Sequence, residues 1–112
     1  MIDFNNEIGA KVGEYVKFKG ISGITVYGYI AKIDGDEVGY IRDSLTRWGT
    51  SKQLIERTGV KISKDEFFDK VKRNAQTTSN EVIPNNTQLN KVIKKFTDDF
   101  DCDFQEIIEL LG

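Results

Sequence analysis

From residue 15 to residue 42 the chain reads as extended strands joined by turns, and in the first of them apolar and polar positions alternate with a period of two. The first alternating run is Tyr15-Val16-Lys17-Phe18-Lys19, with Val16 and Phe18 on one side and Tyr15, Lys17 and Lys19 on the other. Gly20 and Gly23 bracket a turn, and two longer runs follow, joined at Asp34-Gly35. A two-residue type I′ turn needs positive φ at both central positions, which Asp followed by Gly supplies at little cost. Such a turn predicts a register with Ile33 opposite Asp36, Lys32 opposite Glu37, Ala31 opposite Val38, Ile30 opposite Gly39, Tyr29 opposite Tyr40 and Tyr27 opposite Arg42. Side chains alternate across a strand, so this register defines two surfaces. Ile24, Val26, Ile30 and Ile41 form an aliphatic face; Tyr27, Tyr29, Ala31, Val38, Tyr40 and Arg42 form an aromatic one. A three-residue loop with a bulge at Gly35 is the alternative, and it shifts the partner strand by one residue and exchanges its faces.

Further along, residues 44–49 read as a fourth strand, residues 51–56 as a helical turn begun by Thr50 or Ser51, and residues 60–62 as a fifth strand. Ile2 and Phe4 alternate with polar residues and suggest a short edge strand. Six of the ten glycines lie between Gly13 and Gly39, and glycines inside strands often mark bulges or strong bends. Short bent strands with a one-turn helix before the last of them make residues 14–62 similar in architecture to SH3-like small barrels, including the Tudor and KOW types. The resemblance carries no family motif and implies only the fold.

The period then changes to that of a helix. Ser63 and Glu66 fit a capping box, predicting a helix over residues 64–74 with Phe67, Phe68 and Val71 inward. The stretch 76–86 holds the only proline and lacks periodicity, as a linker does. Leu89, Val92, Ile93, Phe96 and Phe100 fall at helical spacing behind a cap at Asn85, Asn86 or Thr87. Asp101 or Asp103 then caps a second short helix carrying Phe104, Ile107, Ile108 and Leu111. The expected fold is α+β: a small bent SH3-like β-barrel of four or five strands followed by two or three α-helices. Its parts are the barrel over 1–62, a helix over 63–76 packed on it, a linker over 77–86, and a helical hairpin over 87–112. Helices this short are marginal alone, so the hairpin docks on the barrel, pairs two copies as a homodimer, or meets a partner.

Composition narrows the chemistry. The 112 residues contain no histidine, which removes Ser-His and Cys-His nucleophilic sites and imidazole metal ligands. Cys102, between Asp101 and Asp103, is a poor thiolate, and no phosphate-binding glycine loop occurs. Asp99, Asp101 and Asp103 resemble the start of a calcium loop, but Phe104 stands where the sharp turn needs glycine and Leu110 where the bidentate glutamate belongs. No enzymatic activity, cofactor or metal is expected. A secretory signal and a membrane-spanning run are not evident, so the expected location is cytoplasmic.

Formal charge is −2, unevenly spread. Residues 1–62 carry 9 basic and 8 acidic side chains, a net of +1; residues 63–112 carry 7 and 10, a net of −3. Two candidate surfaces follow. Tyr27, Tyr29, Tyr40, Arg42, Arg47 and Trp48 could form an aromatic and basic platform for a protein partner. Asp98, Asp99, Asp101, Asp103 and Glu106 could form a secondary acidic docking surface. The function expected is a non-enzymatic protein-binding module, an adaptor, regulator or inhibitor, with a composition that suits a phage or mobile-element accessory protein. The alternative is a small-barrel nucleic-acid binder that stacks bases on the same sheet face with help from Tyr15, Lys17 and Lys19.

Overall fold

The computed structural model describes residues 11–77 and 83–111, so the expected edge strand at Ile2 and Phe4 and most of the linker lie outside the described residues. Five strands form one antiparallel sheet: β1 (Tyr15–Lys19), β2 (Thr25–Asp34), β3 (Glu37–Arg42), β4 (Arg47–Ser51) and β5 (Val60–Lys61), in the order β4-β3-β2-β1-β5. Four helices accompany them among the described residues: α1 (Lys52–Thr58), α2 (Lys64–Thr77), α3 (Asn86–Asp98) and α4 (Phe104–Leu111). The chain is thus a mixed α+β domain. Among the described residues its sheet is open, because β4 and β5 are its two ends and do not pair, so these strands do not close into the expected barrel.

The β2–β3 turn differs from expectation. Gly35, at φ +62°, takes the first central position, Asp36 follows without positive φ, and Asp34 pairs with Glu37. Positive φ at the first position alone is the sign pattern of a type II′ turn, which needs only one glycine. A bulge at Ala31 then shifts the ladder, so Ile30 faces Tyr40 and Tyr29 faces Ile41. The predicted pairing of Tyr29 with Tyr40 is therefore wrong, and β3 shows the exchange of faces that a three-residue loop would have caused. Apolar matching explains the outcome: Ile33 meets Val38 and Ile30 meets Tyr40, whereas the expected register set Ile33 against Asp36.

Two cores result, one on each sheet face. On one side Val16, Phe18, Val26, Ile30, Val38 and Tyr40 surround Ile55 of α1, with Ile33 and Leu54 at the margin. On the other, Tyr29, Ala31, Ile41 and Leu45 meet Phe67, Phe68 and Val71 of α2, Leu89, Val92, Ile93 and Phe96 of α3, and Ile107 of α4. The aromatic face is thus covered by the chain's own helices. Ile24, assigned to the aliphatic core face, lies before β2 and is 58% exposed.

Local chemistry fixes the helix ends. Ser51 Oγ accepts the Leu54 amide at 3.1 Å and starts α1. Ser63 Oγ accepts the Glu66 amide at 3.0 Å, but the Glu66 carboxylate lies 3.9 Å from Lys17 Nζ instead of completing the box. The complete capping box is at Asn85 and Gln88, whose side chains each take the other's amide at 2.9 Å. On α4, Ile107 is fully buried while Phe104 and Ile108 face solvent, so the apolar face expected there is only partly used. Strand β4 starts at Arg47, later than expected, because residues 43–46 form a turn in which Leu45 adopts φ +60°. Left-handed backbone costs a non-glycine residue roughly 1–2 kcal/mol. Burial of the Leu45 side chain in the helical core offsets it.

Candidate functional site

The six residues of the expected platform are distributed over both sheet faces. Tyr29 is buried under α3, and its hydroxyl lies 2.7 Å from Thr97 Oγ1. Thr97 gives its own proton to the Ile93 carbonyl at 2.7 Å, so Tyr29 is the donor of the pair. Tyr15 packs at 4.9 Å between ring centroids from Tyr29, and burial foremost, with Tyr29 adding, pushes its hydroxyl up to about 12. Tyr27 is half-buried, with Lys70 Nζ 5.3 Å from its ring centroid. Tyr40 is buried on the opposite face, edge-on to Phe18 at 5.3 Å, and burial raises its hydroxyl pKa while Arg42 opposes the shift. Among the tyrosines, then, none presents an open ring beside Trp48.

Arg47 is occupied as well. Its Nη1 donates to the Phe100 carbonyl at 3.1 Å and the Cys102 carbonyl at 2.7 Å, fastening the α3–α4 junction to β4. What remains together is Arg42 and Trp48. The Arg42 guanidinium carbon stands 5.2 Å from the Trp48 ring centroid, and Arg42 Nε is 3.7 Å from Asp43 Oδ1. Trp48 Nε1 donates to Thr46 Oγ1 at 2.7 Å, which fixes the indole across the strand end.

This pair borders a groove of about 390 Å³ that also includes Phe18, Ile21, Ile24, Val26, Tyr40 and Leu54. Its rim holds apolar side chains that the described residues leave exposed: Ile21 is 100% exposed and Trp48 is 47% exposed. Among the described residues Arg42 is the only charged one lining it. Ile21, Ile24 and Leu54 were missed by the sequence reading. Ile21, inside the turn bracketed by Gly20 and Gly23, was a usable sign, since a turn offers no core in which to bury it.

A second concavity, of about 410 Å³, adjoins the first across β4, sharing Trp48 and Gly49 with it. Its lining is charged: Lys32, Asp34, Glu37, Arg47 and Asp101 accompany Val38, Gly39 and Phe100.

The acidic residues of the C-terminal part are largely engaged in local structure. Asp98 pairs with Lys94 at 3.0 Å, and Glu106 with Lys95 at 3.1 Å. The bond and charge of Glu106 raise the Lys95 pKa. Asp103 Oδ1 accepts the Gln105 amide at 3.0 Å at the start of α4, and the Asp99 carbonyl accepts the Cys102 amide at 3.1 Å. Asp101 faces the charged concavity. Cys102 is buried, and burial with Asp99 nearby raises its thiol pKa, which keeps it in the unreactive form. Among the described residues no group of three or more Cys, Asp or Glu side chains is placed to hold a metal ion, and no helix is long and apolar enough to cross a membrane.

No known protein family, characterised protein or solved structure matches this chain.

Proposed function

We propose that the protein is a non-enzymatic protein-binding module, an adaptor, regulator or inhibitor, that takes an apolar segment of a partner polypeptide into the groove between the β1–β2 turn, Arg42–Trp48 and Leu54. The observation that carries the reading is the exposed apolar rim of Ile21, Ile24 and Trp48 around a groove with a single lining charge among the described residues. Burying such side chains against a partner is favourable by roughly 25 cal/mol per Å² before the costs of association. An indole held by its own hydrogen bond and stacked under Arg42 is also pre-ordered, so binding loses little side-chain freedom there.

Selection from a display library of random twelve-residue peptides tests the reading. Enriched peptides should carry clustered apolar residues and lose most of their affinity for Trp48→Ala and Ile24→Asp. Absence of enrichment, or equal binding to both variants, would overturn it. The nucleic-acid reading would rest on Arg42 and Trp48 without the tyrosine platform, and salt-sensitive binding of single-stranded oligonucleotides abolished by Arg42→Glu would move the choice to it.

A further inference from the structure

Strand β4 is an edge of the sheet, with no strand paired to its outer side among the described residues. The β3–β4 ladder is flanked by the Arg42 amide on the Thr46 carbonyl at 3.0 Å and the Lys52 amide on the Asp36 carbonyl at 2.7 Å. Register is constant between them, from Glu37↔Ser51 to Ile41↔Arg47. Antiparallel pairs alternate in hydrogen bonding, so Trp48 and Thr50 turn their amides and carbonyls toward β3, while Arg47 and Gly49 turn theirs outward. Among the described residues neither outward set meets a backbone partner, and Arg47, Trp48 and Gly49 are all exposed.

Gly49 is the second observation. A Cβ there would meet only the Val38 carbonyl oxygen, at 3.9 Å, and the residue does not have positive φ. Neither packing nor conformation therefore demands glycine. A bare backbone at a strand edge does permit another backbone to approach closely. The usual guards of an edge are missing as well: β4 has no proline or bulge, and its one charged side chain is folded back onto the Phe100 and Cys102 carbonyls.

We infer that a partner polypeptide binds as an added antiparallel strand on β4, its backbone bonded to Arg47 and Gly49, with apolar and basic residues alternating along it. The inference rests on the groove reading above and extends it. Side chains of an added strand alternate between faces as those of β4 do. Those on the Trp48 side reach the apolar groove. Those on the Gly49 side lie over the charged concavity, where Asp34, Glu37 and Asp101 outnumber Lys32 and the already occupied Arg47. Cations fit that side.

The probe is a fluorescein-labelled peptide, Lys-Val-Lys-Ile-Lys-Val-Lys, followed by anisotropy, beside Lys-Lys-Val-Ile-Val-Lys-Lys, which has the same composition without alternation. The alternating peptide should bind at least about tenfold more tightly. Gly49→Pro removes only an outward amide and should weaken it about tenfold or more, with the thermal midpoint unchanged. A peptide N-methylated at the two lysines that flank its central isoleucine tests the same bonds without altering the protein, and should lose affinity equally, because residues opposite Arg47 and Gly49 share their face and turn their own amides toward β4. Undiminished binding to Gly49→Pro together with loss in Trp48→Ala would overturn the added strand and leave the groove intact. No binding of either peptide, with display-selected peptides also indifferent to Trp48→Ala, would sink both. A dimer in sedimentation that Gly49→Pro dissolves, with neither peptide bound, would assign the edge to a second copy and overturn the inference.

Discussion

Gly39 lies directly beneath the ring of Phe100: a Cβ on Gly39 would stand 2.7 Å from Phe100 Cζ, closer than any real contact of that kind. The missing side chain on β3 is the seat for an aromatic ring at the end of α3. Gly28 plays the same part on the other face, where a Cβ would come 2.8 Å from Tyr40 Cδ2. Two glycines in adjacent strands thus admit one ring to each core. Gly39→Ala should destabilise the fold by about 1–3 kcal/mol through overpacking, read from urea unfolding. In a Phe100→Ala background the same substitution should cost far less, and additive losses would show that the contact is not responsible.

Arg47 supplies the second expectation. Hydrogen bonds from a charged group to carbonyl oxygens contribute about 1.5–3 kcal/mol each when partly buried. This residue makes two, to Phe100 and Cys102, but both come from one nitrogen of an exposed side chain where water competes, so together they are worth about one such bond at the lower end. Arg47→Ala should lower stability by about 1–2 kcal/mol and speed amide exchange first at residues 99–104. Exchange that accelerates uniformly over the chain would argue against a local clasp.

These two contacts also show where sequence was readable and where it was not. The strand at Tyr15–Lys19 and the inward faces of α2 and α3 follow from periodicity, because burial of Val16, Phe67, Phe68, Val71 and Phe96 sets the pattern directly. The turn at Gly35 was legible as a turn but not in type, since one glycine satisfies I′ and II′ alike until its partner's φ is known. The bulge at Ala31 left no mark in composition, and it decides which tyrosines share a face. Arg47 read as a free cation because its partners are carbonyls 53 and 55 residues away. The exposure of Ile24 was hidden by its assignment to the aliphatic core face of the hairpin.

Tyr15 provides a pH expectation. Its hydroxyl is pushed from 10.0 up to about 12, by burial first and by Tyr29 second. A folded-state value above the unfolded one gives stability that is complete below about 10 and is lost as pH rises through about 12. Tyr15→Phe has no proton to lose there. It should flatten the alkaline fall in urea midpoint between these values, and ultraviolet titration of the folded wild type should show a late-ionising tyrosine that the variant lacks. A fall of equal steepness in both proteins would assign it to other groups.

Asp43 sits between Arg42 and the α2 side of the sheet, and its carboxyl is raised above 3.8 by burial, against the pull of Arg42 and then Lys70. The sign is opposite to that of a stabilising ion pair. A carboxyl that is harder to ionise when folded contributes stability below its unfolded value and loses it as pH rises through the folded one. Asp43→Asn, which cannot ionise, should therefore raise the urea midpoint at neutral pH relative to wild type and lose that advantage under acid conditions. Arg42→Ala removes the nearest cation, 3.7 Å from Asp43 Oδ1, so the gain from Asp43→Asn should grow in that background. Trp48 is the only tryptophan and lies against Arg42, so its fluorescence reports both the unfolding curve and the lost cation contact. If Asp43→Asn lowers stability at neutral pH more than in acid, the carboxylate is a net stabilising partner of Arg42, and Asp43 would then belong with the residues that hold the Arg42–Trp48 pair in place.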